Sequence, residues 1–215
     1  MENLKRLFEN NRSIVAEVTQ ADPEYFARRA GKQEPHFLLI GCADSRVPIE
    51  TLTGVAPGEM FVHRNIANQA LSADINVLSV LQYAVEVLDV KHVMVCGHYQ
   101  CGGVKAAMGD QSYGLVDYWL AGIRDTVRRH DFELQRIASS EERFKRVVEL
   151  NVLRQVYNLS RTPVVQGAWS RGRRPLLHGL VYDIHDGLLK PLVLQVDGND
   201  KARELLETPR ASIGD

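Results

Sequence analysis

Short apolar runs along the chain predict three buried strands, at residues 36–41, 59–63 and 92–97. Between the second and third runs, apolar residues recur at helical spacing over residues 73–90, which predicts an amphipathic helix. Because a strand followed by a helix and another strand closes by a right-handed crossover, this order predicts a parallel sheet. The nearly unbroken apolar character of the runs is typical of strands covered on both faces.

The beginning of the chain carries another helical pattern, over residues 3–30. Asp22-Pro23 predicts a break into two helices, because proline is best tolerated in the first turn of a helix. The pattern is amphipathic, so this arm must pack on its own core or on a partner subunit. Further helices are predicted over residues 115–130, 139–159 and 163–172.

The last apolar segments predict an antiparallel hairpin. Residues 176–184 and 188–196 flank Asp186-Gly187, a dipeptide that favours a tight turn. Pro191 has no amide hydrogen to donate, so it places the second strand at a sheet edge. The predicted fold class is therefore α/β, with a central mostly parallel β-sheet flanked by helices, an N-terminal helical arm and a C-terminal antiparallel hairpin at the sheet edge.

No internal repeat or shift in composition divides the chain, so a single domain over residues 1–215 is predicted. Within it, residues 1–30 are the helical arm, residues 31–197 the α/β core and residues 198–215 a polar tail. Hydrophobic residues make up 45% of the chain and charged residues 25%, which argues against wholesale disorder.

Charge and cysteine content narrow the class of protein further. The formal net charge of -1 gives no electrostatic reason to expect a nucleic acid or an anionic membrane as partner. The apolar runs are too short to span a bilayer, and no signal peptide is predicted, because the first residues are polar where one needs an apolar run. Three cysteines cannot build a disulfide framework, and free thiols fit a reducing cytoplasm. A cytoplasmic location is therefore predicted.

Two short segments with reactive side chains follow the first and third strands. Residues 42–46 are Cys-Ala-Asp-Ser-Arg, and residues 98–103 are His-Tyr-Gln-Cys-Gly-Gly. Open α/β sheets bind ligands at the carboxyl ends of their parallel strands. If the two strands are neighbours, the side chains of both segments converge on one point.

The side chains offered there suit tetrahedral zinc, which takes thiolate, imidazole and carboxylate ligands. They are Cys42, Asp44, His98 and Cys101. Arg46 can hold Asp44 in a bidentate pair, so Asp44 could be a zinc ligand in one state and the partner of Arg46 in another. Because two thiolates already neutralise zinc formally, a bound water should be less acidic than at a three-histidine site. A hydrating enzyme would then work best at neutral to alkaline pH.

The same residues could also have purely structural roles. A free cysteine near a strand end is commonly a packed core residue, and Cys96 is predicted to be one. Asp44 and Arg46 could form a simple ion pair in a loop. A redox role is disfavoured, because Cys42 and Cys101 lack Cys-x-x-Cys spacing.

In these residues the chain resembles the β-class carbonic anhydrases of bacterial type. The resemblance covers most of the chain, at residues 42–48, 61–68, 96–104, 149–152 and 178–188. It implies a zinc lyase that reversibly hydrates carbon dioxide to bicarbonate and a proton through zinc-bound hydroxide. It also implies one zinc ion per subunit, and its ligands by motif match are Cys42, His98 and Cys101.

The resemblance assigns Asp44 and Arg46 as the catalytic dyad. Asp44 would accept a hydrogen bond from the hydroxide while Arg46 holds it off the metal, and in a closed, inactive state Asp44 would itself bind zinc. The positions implied for substrate binding are Gln33, Phe61, Tyr83 and Gly102. The implied partners are carbon dioxide or bicarbonate and further copies of the chain, as a dimer or tetramer in which the arm wraps a neighbour.

One subgroup of the family binds bicarbonate at a second, inhibitory site. The residues that match this regulatory pocket are Glu50, Arg64 and Tyr182. Leu39 departs from the subgroup, which commonly carries tryptophan at that position. The missing ring puts the bicarbonate site in question, although a closed state needs only Asp44 and a released Arg46.

Two other functions compete with the leading one. The first is a different zinc lyase or hydrolase on the same fold, such as one that acts on carbon disulfide. The second is a non-catalytic scaffold whose zinc is closed by four protein ligands. An Asp44–Arg46 pair that keeps the carboxylate off the metal favours an enzyme over the scaffold.

Overall fold

The structure is a computed structural model that describes residues 2–172 and 174–206, and it divides into two compact units, residues 1–34 and 35–215. In the first unit, α1 (Glu2–Ala21) and α2 (Ala27–Ala30) are separated by a turn. The break falls at Asp22-Pro23, as the sequence predicts. None of the side chains of α1 is buried, and Leu7 and Phe8 are 61% and 57% exposed. The apolar stripe of this helix is therefore open.

The second unit is built on one five-stranded sheet. Its strands are β1 (Phe37–Cys42), β2 (Met60–Asn65), β3 (His92–His98), β4 (Leu176–Tyr182) and β5 (Leu189–Val196). They lie in the order β2-β1-β3-β4-β5. The first four run parallel, and β5 pairs antiparallel with β4 at the edge. Five of the six residues of β1 are buried, as expected for a parallel strand covered on both faces. The predicted fold class is confirmed.

Helices connect and cover the strands of this unit. They are α3 (Ile49–Leu52), α4 (Ile75–Gln82), α5 (Gly102–Met108), α6 (Leu115–Arg129), α7 (Asp131–Gln135), α8 (Ser140–Ser160), α9 (Pro163–Ser170) and α10 (Asn199–Glu204). Two of these helices begin with a side-chain cap: the Ser139 hydroxyl accepts from the amide of Glu142, and the Thr162 hydroxyl accepts from the amide of Val165. After α4 the chain continues in a π-helical segment, Tyr83–Val87, which ends where the amide of Leu88 donates to the carbonyl of Tyr83. No described helix is long and apolar enough to cross a membrane.

Helix α8 packs directly on the end of β3 that leads into the reactive segment. A Cβ atom at Gly97 would lie 2.6 Å from Cγ2 of Val152 on α8, closer than two carbon atoms can approach. Glycine is therefore required there for the helix to reach the strand. Twelve residues of α8 are buried, so this helix is the centre of the core as well as the support of the strand end.

The polar tail predicted from residue 198 needs correction in its first part. Residues 199–204 form α10, and Ala202 and Leu205 are buried with 1% and 7% exposure. These two residues lie three positions apart, on one face of a single helical turn. Such a short apolar pair gives no period that sequence reasoning could detect. Residues 207–215 of the predicted tail lie outside the described residues.

Acid is expected to weaken the fold through a histidine pair at the opposite end of the sheet from the reactive segments. The amide of Gln195 donates to Nδ1 of His178, whose Nε2 lies 3.0 Å from Nδ1 of His92. Burial, aided by the neighbouring His92, lowers the pKa of His178 to about 4. The unfolded imidazole takes up a proton below about pH 6.5, so the stability from this group is complete above that pH and is lost toward pH 4.

We expect this loss to reach about 2 kcal/mol between pH 7 and pH 5. Urea unfolding at both pH values would measure it. His178→Asn keeps an acceptor near the Gln195 amide but does not titrate, so its stability should fall less over the same interval. An equal fall in both proteins would contradict this assignment.

Candidate metal centre

The two reactive segments leave the sheet side by side. Residues Gly41 of β1 and Cys96 of β3 are paired, so Cys42 and His98 emerge from neighbouring strands. From β1 the chain continues to β2 on one side, and from β3 it continues to β4 on the other side. Such a reversal of strand order opens a crevice at the carboxyl ends of the strands, which is where open α/β sheets bind ligands.

Three metal-ligating side chains meet in this crevice. The ligand atoms of Cys42, His98 and Cys101 all lie within 4.8 Å of one another, and all three residues are buried. The two Sγ atoms are 3.9 Å apart, far beyond a disulfide bond. Two thiolates bound at about 2.3 Å to one tetrahedral ion would be separated by about 3.8 Å. The observed spacing therefore fits a shared zinc ion.

The orientation of His98 supports the same conclusion. Its Nδ1 lies 2.9 Å from the carbonyl oxygen of Tyr99, to which it donates. Its Nε2 is buried and has no hydrogen-bond partner among the described residues. A buried ring nitrogen without a partner is costly, and a metal ion would satisfy it. The residues present thus fit zinc.

A tight turn brings the second thiol back to the first strand. Gln100 has a φ of 63°, in the left-handed region that residues other than glycine rarely occupy. This turn, two residues after His98, reverses the chain so that Cys101 lies close to Cys42. The turn is strained, so the surrounding contacts have to hold it.

The pKa values of the Cys42 and Cys101 thiols are shifted in opposite directions. A hydrogen bond from Cys101 lowers the pKa of Cys42 well below its usual range, and the same contact raises the pKa of Cys101. The direction of the shift favours the thiolate form of Cys42, which is the form that binds metal. Cys96 lies within β3, and burial raises its pKa to about 12, so it stays a neutral core thiol as predicted.

The structure joins Asp44 and Arg46 in a bidentate pair beside this cluster. Arg46 donates from Nε to Oδ1 at 3.0 Å and from Nη2 to Oδ2 at 2.7 Å, and its backbone amide also donates to Oδ1. These bonds hold the pKa of Asp44 well below its usual range, so the carboxylate is ionised at working pH. Its Oδ2 lies 3.7 Å from Nε2 of His98, which places the charge at the edge of the metal cluster.

Arg64 holds the loop that carries this pair. It donates from Nε to the carbonyl of Cys42 at 2.9 Å and from Nη2 to the carbonyls of Asp44 and Val47, at 3.0 and 2.7 Å. These three bonds fix the backbone of residues 42–47. Sequence reasoning missed this contact, because an arginine in a strand gives no local indication of which carbonyls it reaches.

Glu50 and Tyr182 are the other two residues matched to the regulatory pocket. Neither takes part in these hydrogen bonds of Arg64. Tyr182 is 6% exposed and packs with Leu39, Val47 and Cys96 in a small apolar cluster. Glu50 lies on α3, and no hydrogen bond joins it to Arg64 or Tyr182 among the described residues. Leu39 and its neighbours thus provide an apolar wall for this part of the sheet.

Two of the predicted substrate residues, Phe61 and Tyr83, lie away from the metal cluster of the same chain. Phe61 and Tyr83 contact each other, with ring centroids 5.9 Å apart. Phe61 pairs with Leu38, four residues before Cys42, which is about 13 Å along the strand. Gly102 opens α5 next to Cys101, and a Cβ there would meet no atom within 4 Å. Gln33 belongs to the first unit.

Comparison with known proteins agrees with this geometry. The family model described as "Carbonic anhydrase" matches residues 37–189, which include the whole cluster. A Coccomyxa β-carbonic anhydrase solved in complex with acetazolamide has a TM-score of 0.89 and 39% identity, over 98% of this chain and 94% of that chain. The chain belongs to the β-class carbonic anhydrase family. Hydration of carbon dioxide is the reaction of this family, so the predicted enzyme class is confirmed.

Other relatives are similar over most of their length. A carbonic anhydrase of Emericella nidulans is 47% identical over 193 residues, covering 90% of this chain and 85% of its own sequence. A structure of tetrameric β-carbonic anhydrases from the ascomycete Sordaria macrospora has a TM-score of 0.85 and 37% identity, over 89% of this chain and 98% of that chain. Because these relatives are fungal, the bacterial type within the family stays a prediction.

Proposed function

We propose that this chain reversibly hydrates carbon dioxide to bicarbonate and a proton with one zinc ion per subunit. Cys42, His98 and Cys101 would hold the ion. The observation that carries the proposal is the buried Nε2 of His98, which has no hydrogen-bond partner among the described residues, on a ring that is clustered with two thiol sulfurs. When bound there, zinc supplies a Lewis acid that lowers the pKa of a water molecule toward neutrality.

The proposed role of Asp44 is to orient the attacking water. Its ionised carboxylate has lone pairs left beyond those used by Arg46, so it can accept a hydrogen bond from that water. The water oxygen would then present its lone pair to the carbon of carbon dioxide. A carbon–oxygen bond forms as one C=O π bond shifts its electrons to oxygen, and one proton leaves to buffer. Arg46 keeps the carboxylate in place, because its two side-chain bonds oppose a shift of Asp44 toward the metal.

A closed, inactive state is proposed as an alternative arrangement of the same residues. Release of Arg46 would free Asp44 to become a fourth ligand and exclude water. Bicarbonate held by Glu50, Arg64 and Tyr182 would favour that state. Such an anion has to compete with the three carbonyls that Arg64 contacts, and Leu39 offers no ring to enclose it.

We also propose that two copies of the chain complete the substrate pocket. Phe61 and Tyr83 lie together but away from the cluster of their own chain, and Tyr83 is 45% exposed. A second copy would bring them, with Gln33, to the zinc and Gly102. The open apolar stripe of α1 and the tetrameric Sordaria relatives support self-association as a dimer or tetramer. A cytoplasmic location, with neither nucleic acid nor membrane as partner, fits the free thiols and the near-zero net charge.

Stopped-flow measurement of carbon dioxide hydration tests the proposed function. We expect zinc-loaded protein to accelerate the reaction far above buffer at about pH 8.5, and chelated protein to lose this acceleration. The zinc content of each sample is measured beside the rate. A zinc-loaded protein with no rate above buffer would refute the proposal.

A further inference from the structure

A fully buried arginine lies on the side of the core that faces the metal centre. Arg146 of α8 is 1% exposed and forms ion pairs with Glu133 of α7 and Glu149 of its own helix. Burying a cation and its carboxylate partners costs several kcal/mol in desolvation. Apolar residues could fill the same space at less cost, so the contacts that these charges make are what distinguishes the arrangement.

Through Glu149, the buried charged group contacts the turn between His98 and Cys101. Oε2 of Glu149 accepts a hydrogen bond from Nη1 of Arg146 at 3.2 Å, and Oε1 of Glu149 accepts one from the Tyr99 hydroxyl at 3.0 Å. Tyr99 lies directly after His98 and two residues before Cys101. One carboxylate thus joins the buried arginine to the segment that carries two of the three ligands.

Tyr99 is held at three points, and each has a different partner. Its amide donates to the carbonyl of Tyr182, its own carbonyl accepts from Nδ1 of His98, and its hydroxyl donates to Glu149. The carbonyl contact sets the orientation of the His98 ring. The hydroxyl contact is the one that ties the turn to α8, beside the strained backbone of Gln100.

We propose that Glu149, held in place by Arg146, is a positioning residue that acts through the Tyr99 hydroxyl to set His98 and Cys101 for metal binding. This inference rests on the proposed zinc centre. A carboxylate suits the role because one oxygen satisfies the arginine while the other stays available to the tyrosine. Since the turn is strained, loss of this tether lets it relax away from the geometry in which both ligands face Cys42.

Zinc affinity, measured by competition with a chromogenic chelator, tests the tether. Tyr99→Phe removes only the hydroxyl, and we expect it to weaken zinc binding about 10-fold, as lost partners of metal ligands commonly do. The visible spectrum of the cobalt-substituted variant should also change. Tyr157→Phe, a matched substitution on α8, should leave affinity and spectrum unchanged. An unaltered affinity in Tyr99→Phe would overturn the inference.

A double-mutant cycle separates positioning from general support of the core. Glu149→Gln alone should weaken zinc binding, but it should add almost nothing once Tyr99→Phe is present, because the hydroxyl is the route by which it acts. Additive losses in zinc affinity would contradict the inference. Zinc binding by the unaltered protein is measured first. Its absence would refute the proposed metal centre and this inference together, whereas unchanged variants would refute the inference alone.

Discussion

Replacing Cys101 by alanine is expected to remove zinc and carbon dioxide hydration together. Only Cys42 and His98 of the cluster would remain, and two ligands cannot complete a zinc site. We expect zinc affinity to fall by more than about 100-fold, since losing a group that merely hydrogen-bonds a ligand already costs about 10- to 100-fold. Chelator competition measures the affinity, and stopped-flow hydration measures the activity.

Cys96→Ala is the matched control for this substitution. Cys96 is also buried and lies on the same strand that leads to His98, but it is absent from the three-residue cluster. It should keep one zinc ion per subunit and its activity. If Cys96→Ala lost zinc while Cys101→Ala retained it, the assignment of the ligands would be wrong.

Replacing Asp44 by asparagine is expected to lower kcat/KM by about 10²- to 10³-fold while zinc stays bound. The amide keeps the size of the side chain but loses the charge that holds Arg46 and replaces one of the two acceptor oxygens, needed for Arg46 and the attacking water, by a donor. Stopped-flow hydration gives the rate, and metal analysis shows that the site is filled. The zinc content distinguishes this variant from the loss of a ligand.

The chain supplies a matched control for Asp44 as well. Asp125 accepts from Nε of Arg129 at 2.7 Å, in an exposed pair on α6. Asp125→Asn removes an equivalent carboxylate from an arginine, but away from the metal cluster, so hydration should be unchanged. Full activity in Asp44→Asn would contradict the catalytic role of the dyad.

The metal cluster could be predicted from the sequence because its signals are local. Apolar runs ending at Gly41 and Gly97 mark two buried strands, and each is followed at once by a ligand. The parallel order of the strands then brings both ends to one edge of the sheet. The structure confirms this convergence at Cys42, His98 and Cys101. The resemblance to a family supplied the reaction, which spacing alone leaves open.

The supporting contacts could not be predicted, because they depend on how distant elements pack. Arg146 and Glu149 are three residues apart, a spacing that is as common on a solvated helix face. Their burial follows only once α8 lies against β3 and α7 lies beside it. The hold of Arg64 on residues 42–47 depends in the same way on the register of β1 against β2.

The substrate residues show a different limit of sequence reasoning. The resemblance assigns Phe61 and Tyr83 to the carbon dioxide pocket, yet the register of β1 and β2 separates Phe61 from the cluster of its own chain. A motif match transfers a residue to a site without saying which copy of the chain provides it. A second copy that completes the pocket, as proposed above, would account for this separation.

A crystal structure of the zinc-loaded protein at about pH 8.5 tests the central claim most directly, with zinc located by its anomalous scattering. We predict zinc bound by Sγ of Cys42, Sγ of Cys101 and Nε2 of His98, with Asp44 still paired to Arg46. Zinc bound by other residues, or by Asp44 as the fourth ligand with Arg46 released, would contradict an open catalytic centre.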